Sequence, residues 1–271
     1  MKGWVNNVKK NRFEIDMCNG SIMDKLISFS LPLMVSGILQ LAFNAVDIIV
    51  VGRFSGSQAL AAVGSTTALI NVFTNLFIGI SLGANVLAAR FYAAGKDREM
   101  SETVHTSITL ALISGIMMAV IGVLLAKWAL EIMGTPDDVI GQSALYMRIY
   151  FMGMPFFMLY NYGAAILRAI GDTKRPLIFL IISGIANAAL NMILVILAGV
   201  AIGTIISQLI SCVLVLTCLY RSEGSYQLRF SKLKINGAYM EQIFQVGVPA
   251  GIQSTVINLS NALLQSSVNS F

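Results

Sequence analysis

LPLMVSGILQLAFNAVDIIVVGRFSG, residues 31–56, decides how the chain is read. It is an apolar stretch long enough to cross a bilayer core as a helix. Pro32, Ser36, Gln40, Asn44 and Asp47 recur at spacings of four, four, four and three, which places them along one helical face. Leu, Met, Val, Ile and Phe fill the positions between them. An ionised Asp in the hydrocarbon region costs roughly 2.5 kcal/mol or more, so it faces a bundle interior or a wet cavity and is a functional candidate by default. Asp47 is the carboxylate placed well inside a predicted span, and the other assignments are organised around it.

Working outward, only 11% of residues are charged and 56% are hydrophobic, more apolar surface than a soluble core of this length requires. Apolar runs of about 20 residues recur, each of bilayer length. They lack the alternation of a membrane barrel. The fold class is therefore all-α, a polytopic membrane helical bundle. Residues 1–24 read as a basic amphipathic cytosolic lead lying on anionic headgroups. No cleavable signal peptide is legible there. Helices are predicted at about 25–51, 60–90, 106–130, 143–167, 177–197 and 201–220. Residues 221–237 are a cytosolic connection, and 238–271 begin a seventh helix. Pro155 is expected to kink the fourth helix. The fifth and sixth are joined by little more than Ala198–Val200.

The Lys and Arg residues fix the orientation. With a cytosolic N-terminus, 15 of the 18 fall on inner segments, and Arg53, Lys127 and Arg148 remain outside. This puts Asp47 toward the outer half of helix 1; the expected location is the plasma (inner) membrane, multi-pass, with the N-terminus cytosolic. The net charge of +5 is thus a topology signal and not a nucleic-acid signal. Cys18, Cys212 and Cys218 show no metal spacing and read as small packing residues.

The seventh segment resembles the first. Aligning SLPLMVSGILQLAFNAVD with GVPAGIQSTVINLSNALL sets Pro32 on Pro249 and Asn44 on Asn261, an offset of 217. Six crossings lie between, so both copies enter the membrane in the same sense, a parallel repeat of the kind found in secondary transporters. The chain reaches Phe271 before the second copy completes its crossing, which suggests a truncated second lobe.

The stretches LPLMVSGILQ, VDIIVVGRFSGSQALAAVG, GISLGANVLAARFYAAG, IMGTPDDVIGQSALYMRIY, ILRAIGDTKRP and FQVGVPAGIQS together resemble the N-terminal half of a multidrug and toxic compound extrusion (MATE) antiporter. The resemblance implies two six-helix lobes, a central cavity, and export of organic cations against H⁺ or Na⁺ as the coupling ion, with no other cofactor. The family's first-helix Asp matches Asp47, its first-helix proline matches Pro32, and its fifth-helix Asn matches Asn191, with Asn187 one turn before. Many relatives carry an Asp one turn after that Asn, where this chain has Val195.

The expected site follows. Asp47, Asn191 and Asn187 handle the proton or cation, with Na⁺ at Asp47 as the one metal considered. Gln40, Asn44, Ser36 and Asn261 line the cavity, and Pro32 lets helix 1 bend. The partners are small organic cations, the lipid bilayer and a second lobe, with no nucleic acid. Asn71 and Asn75 are expected to stitch helices, Tyr160 and Tyr162 to pack, and Arg168, Asp172, Lys174 and Arg175 to anchor a loop. His105 reads as a polar interface residue. No nucleotide-binding loop, metal cluster or catalytic triad is legible, so no enzyme is expected. A lipid-linked oligosaccharide flippase of related fold and a non-transporting membrane fragment remain as alternatives.

Overall fold

A computed structural model of the chain describes residues 15, 21–54, 56–132, 135, 137–194 and 197–269. Among them are eight α-helices: α1 Ile22–Phe54, α2 Gly56–Ala93, α3 Asp97–Ile132, α4 Asp137–Met152, α5 Met154–Ala169, α6 Lys174–Ile193, α7 Leu197–Arg221 and α8 Gly237–Asn269. A single 3₁₀ turn, Phe230–Lys232, interrupts the segment between α7 and α8. The protein is a multi-pass membrane helical bundle. Five of the helices contain stretches apolar and long enough to cross a membrane, in α1, α2, α3, α6 and α7.

Several boundaries differ from the sequence reading, each for a local reason. The gap left between the helices predicted at 60–90 and 106–130 is mostly helix. Asp97 and Glu99 occupy the first turn of α3, where acids complement the helix dipole. Arg98 donates to Glu102 at 3.0 Å one turn later. The turn before α3 closes on Gly95 at φ +65, with Lys96 N–H on the Phe91 carbonyl at 3.0 Å. A left-handed glycine cap of this kind suits only a residue without Cβ. The gap left between the helices predicted at 25–51 and 60–90 shrinks, because α1 runs to Phe54 and α2 starts at Gly56. Residues 198–200 lie inside α7, a lone Gly199 being too weak a signal to break an apolar helix. Val195 lies outside the described residues.

The fourth predicted helix is not one kinked rod. It starts earlier, at Asp137, and is divided at Gly153 into α4 and α5. Pro155 has no N–H and cannot sit in a helix interior, but it is tolerated in a first turn, where it now stands. Each piece has 16 residues, about 24 Å at the usual rise and short of a bilayer core on its own.

The core lies where α2, α3, α4, α5 and α7 meet. Tyr162, Phe151, Met154, Met158 and Leu219 are fully buried there, while many large apolar residues lie exposed on the outside of the bundle. Asn85 of α2 donates to the Ala165 carbonyl of α5 at 2.6 Å. Asn75 instead donates to the Asn71 carbonyl of its own helix at 2.7 Å, so that pair does not stitch helices.

The closest helix pair is α2 with α8. Gly79 and Gly83 of α2 (GISLG) face Gly247 and Gly251 of α8 (GVPAG). A Cβ on Gly79 would land on the backbone of Gly251, and one on Gly247 would land on the Cα of Ile80. These are two small-xxx-small stripes packed face to face. Lipid supplies no hydrophobic drive between helices, so such close backbone approach is a principal source of association. At the membrane edge Phe91 and Tyr239 extend the contact as an edge-to-face ring pair at 5.5 Å.

Candidate functional site

The site begins with a missing side chain. Gly184 of α6 has no Cβ, and the Phe43 ring of α1 fills that space. One helical turn further along α1 lies Asp47, and about two turns further along α6 lies Asn191. The seating of Phe43 therefore sets the register in which acid and amide meet. Asn191 Nδ2 donates to Asp47 Oδ1 at 2.5 Å. The same Nδ2 reaches Asn187 Oδ1 at 3.2 Å, and Asn187 Nδ2 reaches Thr204 Oγ1 of α7 at 3.4 Å. Thr204 in turn donates to the Val200 carbonyl at 3.1 Å.

Four polar side chains from α1, α6 and α7 thus form one continuous chain of hydrogen bonds. Asn191 is fully buried, Asn187 is buried, and Asp47 is half-buried. Each of these helices is predominantly apolar, so the polar groups satisfy one another instead of meeting lipid. One atom breaks the accounting. Asn191 Oδ1 is buried with no hydrogen-bond partner among the described residues. An orphaned buried carbonyl is rare and asks for a donor or a cation. Gly203 of α7 backs directly onto it, with a Cβ position 2.6 Å from that oxygen.

The other expected site residues fall outside this cluster. Gln40 and Asn44 are exposed on α1, and neither bonds to Asp47 among the described residues. Ser36 turns inward on its own helix, donating to the Pro32 carbonyl at 2.8 Å. Pro32 sits inside α1, which continues as helix on both sides of it. Its ring leaves the Ser28 carbonyl, one turn earlier, without an intrahelical donor. The side chain of Asn261 lies outside the described residues. Tyr162 is fully buried, and Tyr160 donates to the Pro176 carbonyl at 3.2 Å, so both are packing residues. At the loop after α5, Arg175 pairs with the fully buried Asp172 and sets Nη1 3.1 Å from Cys218 Sγ.

One feature went unread in the sequence, and another was read differently. Thr204 is one of several hydroxyl residues on α7, with Ser207, Ser211 and Thr217, and only its place opposite Asn187 marks it. His105 is buried, not interfacial in any casual sense. It bonds the Ser101 carbonyl through Nδ1 at 2.6 Å and accepts the Arg229 N–H at Nε2 at 3.1 Å.

A helical bundle that keeps an acid and a ladder of amides within its membrane depth defines an integral membrane protein built around an intramembrane polar site. The comparisons narrow the class. The MatE family profile matches residues 32–193, and the chain belongs to that family. It is 32% identical over 265 residues to the Bacillus subtilis (strain 168) protein named "Probable multidrug resistance protein YoeA", covering 93% of this chain and 57% of that protein. It is 27% identical over 255 residues to "Multidrug export protein MepA" of Staphylococcus haemolyticus (strain JCSC1435), covering 88% of this chain and 56% of that one. The fold matches the "Crystal structure of MATE in the bent conformation" with a TM-score of 0.84 at 21% identity, over 91% of this chain and 56% of the other. The chain thus spans somewhat more than half the length of these relatives.

Proposed function

We propose that this chain is one lobe of a secondary active exporter that exchanges small organic cations for H⁺ or Na⁺ across the plasma membrane, its N-terminus in the cytosol. Residues 25–220 form the lobe, 221–237 the cytosolic connection, and 238–271 the entry to a second lobe that completes the cavity. The observation that carries the reading is the hydrogen bond from Asn191 to Asp47 across the α1–α6 seam. Multidrug export in the named relatives supports the choice of cargo.

Exchange needs a group that holds either of two positive species. Asp47 offers that group. Unprotonated, it accepts from Asn191 Nδ2. Protonated, it becomes a donor, and the amide no longer has an anion to serve. The unpartnered Asn191 Oδ1 supplies a second oxygen, and the Thr204 hydroxyl a third, an all-oxygen set that suits a hard cation. Asp47, Asn191 and Thr204 would hold Na⁺, with Asn187 orienting them. Gln40, Asn44 and Ser36 line the path on the same α1 face, and Asn261 answers them from the second lobe. Loss of the Asp47 charge releases α1 to bend at Pro32.

The test is dye efflux from liposomes containing the two-lobed protein, under an imposed pH or Na⁺ gradient. Asp47→Asn keeps the shape and the bond to Asn191 but removes the titrating charge. Transport should fall to the level of empty liposomes; retention of full exchange by this variant refutes the assignment.

A further inference from the structure

The segment between α7 and α8 is strapped to the first turns of α3. The Arg229 N–H donates to His105 Nε2 at 3.1 Å, so the imidazole proton sits on Nδ1, facing the Ser101 carbonyl. The Asn236 N–H donates to Thr106 Oγ1 at 3.2 Å. Between strap and helix lies a cavity of about 500 Å³, which Arg98, Ser101, Glu102, Lys232 and Lys234 help to line.

Its charges do not balance. Glu102 is the one carboxylate in the lining, and its oxygens are already taken, by Arg98 Nε at 3.0 Å and Asn236 Nδ2 at 2.8 Å. Lys232 and Lys234 have no ion-pair partner among the described residues, and the Ser101 hydroxyl has no hydrogen bond there. The pocket therefore offers two ammonium groups outside any ion pair and a free hydroxyl, the donors that a phosphate monoanion or diester uses.

A second observation indicates where the phosphate comes from. Phe230 opens the 3₁₀ turn that carries Lys232, and its ring stacks on Tyr220 at 5.9 Å. Both rings are 54% exposed at this end of the bundle. Exposed aromatics beside lysines are the pattern of a headgroup–acyl boundary. The same short segment thus turns rings toward acyl chains and ammoniums toward headgroups.

We propose that this pocket binds the phosphate of an anionic phospholipid, with the acyl chains lying against Tyr220 and Phe230. The bound lipid then ties α3 to the strap that leads into α8. The proposal needs the bundle to sit in a bilayer, and it is independent of ion exchange at Asp47. The test is native mass spectrometry of the detergent-purified chain titrated with phosphatidylglycerol, phosphatidylcholine or inorganic phosphate. Phosphatidylglycerol should be retained in preference to phosphatidylcholine. Lys232→Gln/Lys234→Gln should weaken phosphatidylglycerol about tenfold or more and leave phosphatidylcholine unchanged. Lys232→Arg/Lys234→Arg should keep the preference. Should the double Gln variant lose helical circular dichroism, the single Lys232→Gln variant carries the test, with an expected loss of several-fold. Equal retention of the two lipids by the parent, or undiminished phosphatidylglycerol binding in the Gln variant, overturns the site. Inorganic phosphate displacing the lipid at equal concentration overturns the lipid as its source.

Discussion

Adding one methyl group at Gly79 should destabilise this protein, against the usual sign. Ala in place of Gly in a helix interior ordinarily gains about 0.5–1 kcal/mol, because Gly loses more freedom on folding. At Gly79 the new Cβ would lie 2.1 Å from the Cα and 2.2 Å from the amide nitrogen of Gly251. Backbone atoms cannot swing aside as a side-chain tip can, so α2 and α8 must separate. Overpacking of this kind costs about 1–3 kcal/mol, which leaves a net loss of up to about 2.5 kcal/mol after the propensity gain, with the close backbone overlap here placing it in the upper part of that range. Gly37→Ala is the matched control, since nothing lies within 4 Å of its Cβ position on α1. The assay is unfolding in mixed micelles, with denaturing detergent as titrant and far-ultraviolet circular dichroism as signal. The midpoint should move down for Gly79→Ala and up for Gly37→Ala. Adding Gly251→Ala to Gly79→Ala should cost less than the sum, because the helices have already parted. If Gly79→Ala raises the midpoint as Gly37→Ala does, the close packing of the two glycine stripes is not a source of stability.

Other perturbations probe the polar ladder and the strap. A double-mutant cycle on Asp47→Ala and Asn191→Ala should give a coupling of about 1.5–3 kcal/mol in the same unfolding assay, the range for a hydrogen bond to a charged group; a coupling near zero removes the ladder. Gly203→Ala places a methyl 2.6 Å from Asn191 Oδ1, so it should abolish exchange as thoroughly as Asn191→Ala while leaving helical content unchanged. Gly184→Val should push the Phe43 ring out of its seat and lower stability by about 1–3 kcal/mol, read as a lower unfolding midpoint. His105→Phe keeps the ring but loses both hydrogen bonds, and hydrogen exchange at the Arg229 amide should speed by tenfold or more.

The class of fold was legible because bilayer length and sparse charge are properties of single segments. The fourth predicted helix shows the limit of that reading. Pro155 announced a disturbance, but whether it bends a helix or starts a new one depends on where Gly153 packs, against Gln208 and Ile205 of α7. The charges at 96–102 read as a loop because charge disfavours lipid. In the structure they pair with one another on the first turns of α3 and remain helical.

The candidate site divides in the same way. Asp47 stood out alone, as an acid in an apolar run must. Asn191 and Asn187 were found through their helical spacing and the family likeness. Thr204 and Gly203 carry no mark in the sequence, since one is a hydroxyl among several on α7 and the other lacks a side chain. The glycine stripes GISLG and GVPAG were legible in principle as small-xxx-small motifs, but no rule of sequence pairs one with the other. Sequence by itself determined that the chain is built of long apolar helices and which residue on them is too polar to face lipid, because composition and spacing act along one helix. Tertiary structure alone decided that α8 seats on α2, that Phe43 fills the notch at Gly184, and that Asp47 therefore meets Asn191. Those contacts join residues over a hundred positions apart, and only the packing of separate helices sets their register.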